Sequence, residues 1–183
     1  MTGADARERI IDAAERLLRE RPYRDLSVDA VMVEAGLSRT IFYRHFESLA
    51  GVVRALLADI ETELHAVLVA ESLAGVLRAA IDTYAAHGPF LRAVQAAASH
   101  DPGLEATWDE LGARFVTTMT EQFRASMAAG IVAPGDPAEL ARAMNLFNNA
   151  YLVDTLGRDP GYDRERALAT LLAVWEPLTS HGV

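Results

Sequence analysis

The chain has 183 residues, of which 51% are hydrophobic and 23% charged, with a formal net charge of −9 and no cysteine. That length accommodates one large domain, or a small and a medium one, around a buried core, and the composition argues against disorder. The missing cysteines exclude disulfides, thiolate metal centres and cysteine nucleophiles. No apolar run approaches the roughly 20 residues that cross a bilayer, and the first nine residues show mixed charge without an apolar signal core, so a cytoplasmic protein is expected.

Helical periodicity runs from end to end. Ile10, Ile11, Ala14, Leu17 and Leu18 form one apolar stripe, and Pro22 ends that segment. Ser27 is placed to cap a helix through Ala35, Gly36 supplies a cheap left-handed residue, and Ser38 can cap a short helix through about Arg44. A longer helix is expected from Ser48 to Val69. His87-Gly88-Pro89 and Asp101-Pro102 read as a stop with a proline-led start, and as a second such start. A helix from Leu104 to Ala129 closes at Gly130. Asp136-Pro137-Ala138-Glu139 opens another that ends near Gly157, and a last one spans Asp163 to Thr179. Period-2 alternation, hairpin signals and internal repeats are absent, so the expected class is all-α.

The segment Ser27–Phe46 has helix-turn-helix grammar. Val28, Val31 and Met32 anchor the first helix, Ala35 and Gly36 allow the close turn, and Leu37 plugs it. In the second helix Ile41 and Phe42 face inward, while Ser38, Arg39, Thr40, Tyr43, Arg44 and His45 face out. Such a surface can donate hydrogen bonds to phosphates and base edges, with Ser27 beside it at the start of the preceding helix. A helical hairpin whose polar residues merely face water is the competing reading. The acid is unevenly spread, since residues 1–50 carry eight Arg against nine acids and residues 51–183 carry nine against seventeen. Screening within about 10 Å at 0.1 M salt lets an acidic body coexist with a phosphate-facing head.

The pattern Ser27-Val28-x-x-Val31-Met32-x-x-Ala35-Gly36-Leu37-Ser38, continued by Thr40-Ile41-Phe42-Tyr43-x-His45-Phe46-x-Ser48, resembles the DNA-binding head of the TetR family of one-component regulators. The resemblance covers residues 7–55. It implies a homodimer of about nine helices, with a three-helix helix-turn-helix head (residues 1–47) and a six-helix ligand-binding and dimerisation body (residues 48–183). It also implies a repressor that binds palindromic double-stranded operator DNA and is released by a small hydrophobic ligand, without cofactor, metal or membrane. Two positions depart from the family pattern: Leu49 stands where a phosphate-contacting Lys is usual, and Met32 where a small residue is usual.

In the body, Asn145, Asn148 and Asn149 interrupt an apolar helix, and the first two share a face. Trp108, Leu111, Phe115, Thr118 and Met119 recur at helical spacing, and Phe90, Tyr84 and Trp175 could add walls to a cavity. A packed core with internally satisfied Asn residues is the bland alternative. Arg92, Ala93, Gln95, Ala96, Ala97, Trp108, Asn145, Asn148 and Trp175 resemble the EthR-like branch of the family. That implies a tunnel bounded also by Gly112 and Tyr151, with Gly112 and Thr118 smaller than is usual there. Stripes containing Leu140, Phe147, Leu168, Leu171, Leu172 and Leu178 would pair across a two-fold axis. An enzyme is the rival class, but His65, His87, His100 and His181 are scattered, and Glu61 with His65 reads as an ion pair before it reads as a metal site. A helical small-molecule-binding protein without DNA regulation is the third reading.

Overall fold

The computed structural model describes residues 3–68 and 72–178. Among them are eight α-helices and no strand. These are α1 (Gly3–Glu20), α2 (Val28–Ala35), α3 (Arg39–His45), α4 (Leu49–Leu68), α5 (Leu73–Ala98), α6 (Pro102–Ala128), α7 (Pro137–Asp154) and α8 (Arg164–Trp175). Short 3-10 turns at Tyr23–Asp25 and Glu176–Leu178 complete the elements.

Local chemistry explains most boundaries. Asp101, Asp136 and Asp163 each accept two backbone N–H bonds at the N-termini of α6, α7 and α8, and proline occupies the first helical position after Asp101 and Asp136. Ser27 and Ser72 cap α2 and α5 through Ala30 N at 3.1 Å and Gly75 N at 3.3 Å. Gly36 sits at φ 64°, so its N–H and that of Leu37 can turn back onto the last carbonyls of α2. Ser38 occupies the N-cap position of α3 with extended backbone, but its hydroxyl makes no capping bond. Pro177 cannot donate, which fits the end of α8 at Trp175 and the final 3-10 turn.

Among the described residues the expected ninth helix is not found, because His87-Gly88-Pro89 does not break α5, and five α-helices rather than six follow residue 48. Proline removes one helical hydrogen bond, whose acceptor would be the Ala85 carbonyl. Tertiary packing overrides that loss. Gly88 is buried against the chain that follows α7, where a Cβ would fall 2.6 Å from the Leu156 carbonyl oxygen.

Buried side chains form two clusters. The first joins α1, α2, Phe42 and Phe46 to Val52, Val53, Leu56, Leu57 and Ile60 of α4, and continues into Phe90, Leu91 and Val94 of α5. The second joins the start of α5 to α6, α7 and α8 through Leu77, Ile81, Phe123, Met144, Leu152, Leu171 and Trp175. Tyr84 packs against both. Met32 fits the first cluster at 2% exposure, and Leu49 packs half-buried against its edge.

Candidate functional site

Two regions gather polar side chains into one surface or cavity. The first is the outer face of α3. Phe42, fully buried, and Phe46 fix the inner side, and Arg7 lies over the Phe46 ring at 5.7 Å. The Arg9 guanidinium donates to the Ala35 carbonyl at 2.5 Å, holding the turn between α2 and α3 against α1. With the inner side fixed, Ser38, Arg39, Thr40, Tyr43 and Arg44 are exposed and His45 is half-buried. Ser27 is exposed as well, with its oxygen engaged as the cap of α2. Arg39 is not a loose cation. One guanidinium nitrogen bonds both oxygens of Asp29 at 3.0 Å, and the other donates to the Tyr43 hydroxyl at 3.2 Å.

The second region is a cavity of about 120 Å³ between α4, α5, α6 and α7. Ile60, Glu61 and Leu64 come from α4; Val76, Ala80, Thr83, Tyr84 and Leu91 from α5; Trp108, Leu111, Gly112, Arg114 and Phe115 from α6; and Asn145, Asn148, Asn149 and Leu152 from α7. Most of the wall is apolar, and the amides gather on one side. The Trp175 indole N–H donates to Asn148 Oδ1 at 2.9 Å, and the Tyr84 hydroxyl donates to Asn149 Oδ1. Burial pushes the Tyr84 phenol well above its ordinary range, so it remains a neutral donor. Asn145 makes no side-chain hydrogen bond among the described residues. A Cβ on Gly112 would lie 3.3 Å from the Asn145 amide nitrogen, so glycine there makes room for that amide. Arg114 and Glu61 form an ion pair beside the cavity.

Of the sequence candidates, Trp108, Leu111, Gly112, Phe115, Asn145 and Asn148 line this cavity, whereas Phe90, Thr118, Met119, Tyr151 and Trp175 do not. Phe90 is fully buried in the first cluster, and Met119 and Trp175 belong to the second. The Thr118 hydroxyl is bonded to the Arg114 carbonyl, and Tyr151 stacks on Phe147 with centroids 6.4 Å apart. Sequence reasoning missed the whole α4 wall, although Ile60 and Leu64 at i, i+4 carried the signal. It also missed Val76, Ala80, Thr83 and Leu91 of α5, Arg114 of α6 and Leu152 of α7.

The expected pairing surface also needs correction. Leu168 and Leu171, at 6% and 0% exposure, are consumed inside their own chain. The apolar side chains left outward on α7 and α8 are Leu146 (62% exposed), Phe147 (41%) and Val174 (40%), while Leu140 and Leu172 are half-buried. The side chains of Leu178 and His65 lie outside the described residues. Among those residues no group of three or more His, Asp or Glu is placed to hold a metal ion, and no helix is long and apolar enough to cross a membrane.

The model for the C-terminal domain of the transcriptional regulator EthR matches residues 73–180, and the model for bacterial regulatory proteins of the tetR family matches residues 10–56. The HTH-type transcriptional regulator EthR of Mycobacterium tuberculosis is 29% identical over 187 residues, covering 95% of this chain and 87% of that protein. A TetR-family transcriptional regulator from Rhodococcus sp. has a similar solved structure, with a TM-score of 0.81 at 21% identity over 97% of this chain and 100% of that one. The fatty acid degradation regulator FadR from Bacillus halodurans gives 0.80 at 14% identity, with 97% of each chain covered.

Proposed function

Because the chain belongs to the TetR family of transcriptional regulators, of the EthR type, we propose that it is a cytoplasmic one-component repressor that binds palindromic operator DNA as a homodimer and is released by a small apolar ligand. It catalyses no reaction and needs no cofactor. Residues 1–47 form the reading head and the remainder the sensing and pairing body. In the reading face, Arg39 approaches a base edge and Thr40 a phosphate, Tyr43 and His45 meet the backbone, and Ser27, Ser38 and Arg44 flank them.

One observation carries this reading: α4, which lines the cavity, also packs against the head. Ile60 of α4 lines the cavity and also lies in the cluster that holds α1, α2 and Phe42, and Leu91 of α5 does the same. A molecule wedged against α4 therefore acts on the same rigid body that orients α3. Differential binding of about 1–3 kcal/mol between two head spacings gives substantial release. With the oxygens of Asn148 and Asn149 taken by Trp175 and Tyr84, those two amides offer chiefly N–H donors, and the Asn145 amide adds a further donor beside its own oxygen. The ligand this favours has an apolar skeleton with one acceptor oxygen, as in a ketone, ester or amide. Leu146, Phe147 and Val174 supply the pairing face, and two copies of α7 and α8 complete a four-helix interface.

The test is selection of genomic fragments on the purified protein. The expected result is a palindrome with half-site centres about 34–36 Å apart and an affinity that falls steeply with salt as counterions are released. Failure to enrich any fragment at low salt overturns the reading.

A further inference from the structure

The Asp29–Arg39 pair does not serve the fold. Both side chains are more than half exposed, at 67% and 58%, where an ion pair adds little stability. It joins α2 to α3 across the turn, and Arg39 is fixed from three sides: by both Asp29 oxygens at 3.0 Å, by the Tyr43 hydroxyl at 3.2 Å, and by the Tyr43 ring with its centroid 5.7 Å from the guanidinium carbon. An arginine used only to neutralise phosphate gains nothing from a carboxylate that cancels its charge. Arg44, on the same helix, is exposed with no ion pair among the described residues and suits that task.

We propose that Asp29 is the specificity-determining positioning residue of the reading face: it holds Arg39 in one pose, with its charge balanced, so that Arg39 reads a guanine edge and does not pair with any nearby phosphate. This rests on the DNA-binding role proposed above. Guanine presents two acceptors, O6 and N7, to a guanidinium in fixed geometry, and Arg39 Nε makes no hydrogen bond among the described residues. The Asp29 carboxylate repels the phosphates of every sequence alike. Only a site with guanine in reach of Arg39 offsets that repulsion, so discrimination rises while affinity for arbitrary DNA falls.

The experiment measures binding of the selected palindrome and of a scrambled duplex, each across a salt series. The proteins are the parent chain, Asp29→Asn, Arg39→Ala and the double variant, with thermal melts confirming folding. Asn is isosteric with Asp, and its site is exposed. The expected result for Asp29→Asn is severalfold tighter binding to scrambled DNA and a salt slope steeper by about one unit per protomer as Arg39 turns to a phosphate. The preference for the palindrome should drop at least tenfold. Arg39→Ala should lose the same preference, and adding Asp29→Asn to it should change the preference no further.

Equal tightening on both duplexes, with the preference intact, overturns the inference and leaves Asp29 a simple electrostatic brake. A further loss of preference when Asp29→Asn is added to Arg39→Ala also overturns it. If the parent chain itself prefers no fragment, the DNA-binding role fails and the inference with it, a result distinct from either of the other two.

Discussion

Replacing Gly88 by alanine sets two effects of opposite sign against each other. Gly88 lies inside α5, where glycine is about 1 kcal/mol worse than alanine, so helix propensity alone predicts stabilisation. The added Cβ, however, would stand 2.6 Å from the Leu156 carbonyl oxygen, 2.9 Å from its carbon and 3.0 Å from Gly157 Cα. All three are backbone atoms, which cannot rotate away. Restoring an ordinary 3.4 Å contact requires α5 and the chain after α7 to part by about 0.8 Å. Overpacking of this kind costs about 1–3 kcal/mol and occasionally more, and the purely backbone collision places it at the upper end. The expected net loss is about 2 kcal/mol, which for a chain of this size lowers the melting temperature by about 4–8 °C. Gly51→Ala is the control, because its Cβ meets only Ser48 Oγ at 3.8 Å and Phe46 Cδ1 at 3.9 Å. That variant should gain about 0.5–1 kcal/mol. Thermal and urea unfolding at one fixed protein concentration measure both, since subunit association would otherwise shift the midpoints. A Gly88→Ala protein that melts at or above the parent temperature refutes the close approach of α5 to Leu156 and Gly157.

Four further outcomes are expected. Asn148→Ala should cost about 1–3 kcal/mol by leaving the buried Trp175 indole N–H without its acceptor. Asn145→Ala should change stability by less than about 0.5 kcal/mol yet reduce the thermal shift given by an apolar ligand, and an undiminished shift in both variants would show that the amides do not face the ligand. Burial raises the Glu15 pKa, but hydrogen bonds from His87 and Arg19 outweigh it and hold the carboxyl below its ordinary 4.5. Its contribution to stability is therefore complete above pH 4.5 and lost as pH falls through the lower folded value. Glu15→Gln should flatten the acid limb of a stability–pH curve measured by urea unfolding, and an unchanged limb would refute this assignment. Leu146→Arg should shift the proposed dimer to monomer in sedimentation velocity without loss of helicity, because Leu146 is 62% exposed in the single chain.

What the sequence made legible was local. Asp101-Pro102, Asp136-Pro137 and the Ser27–Gly36 unit define helix ends through bonds made within a few residues, and all of them form as read. The outward set on α3 was equally readable, because Phe42 fixes the phase of the helix. His87-Gly88-Pro89 was misread because the partner that holds α5 together there is the distant pair Leu156–Gly157. Trp108 and Trp175 look alike in sequence, yet one lines the cavity while the other sits in the core and bonds Asn148 from behind. Likewise α7 and α8 each carry apolar residues on more than one face. Periodicity finds the stripes, but only packing decides that Leu168 and Leu171 turn inward and that Leu146 and Val174 remain outside.

The placement of α5 bears on how a cavity could speak to the head. Tyr84 and Leu91 face the cavity, and between them on the same helix lie Ala86 and His87, which face α1. Arg19 donates to the Ala86 carbonyl at 2.7 Å and to Glu15 at 2.7 Å, and Glu15 meets His87 Nδ1 at 2.7 Å. Apolar packing has no preferred direction and tolerates small sliding. Charge-assisted hydrogen bonds are short and directional and weaken steeply when misaligned. A molecule that displaces the 84–91 stretch must therefore either carry α1 along or break a charged, partly buried set of bonds. Both consequences reach α1 without passing through α4, and Arg9 of α1 in turn holds the turn between α2 and α3 through the Ala35 carbonyl.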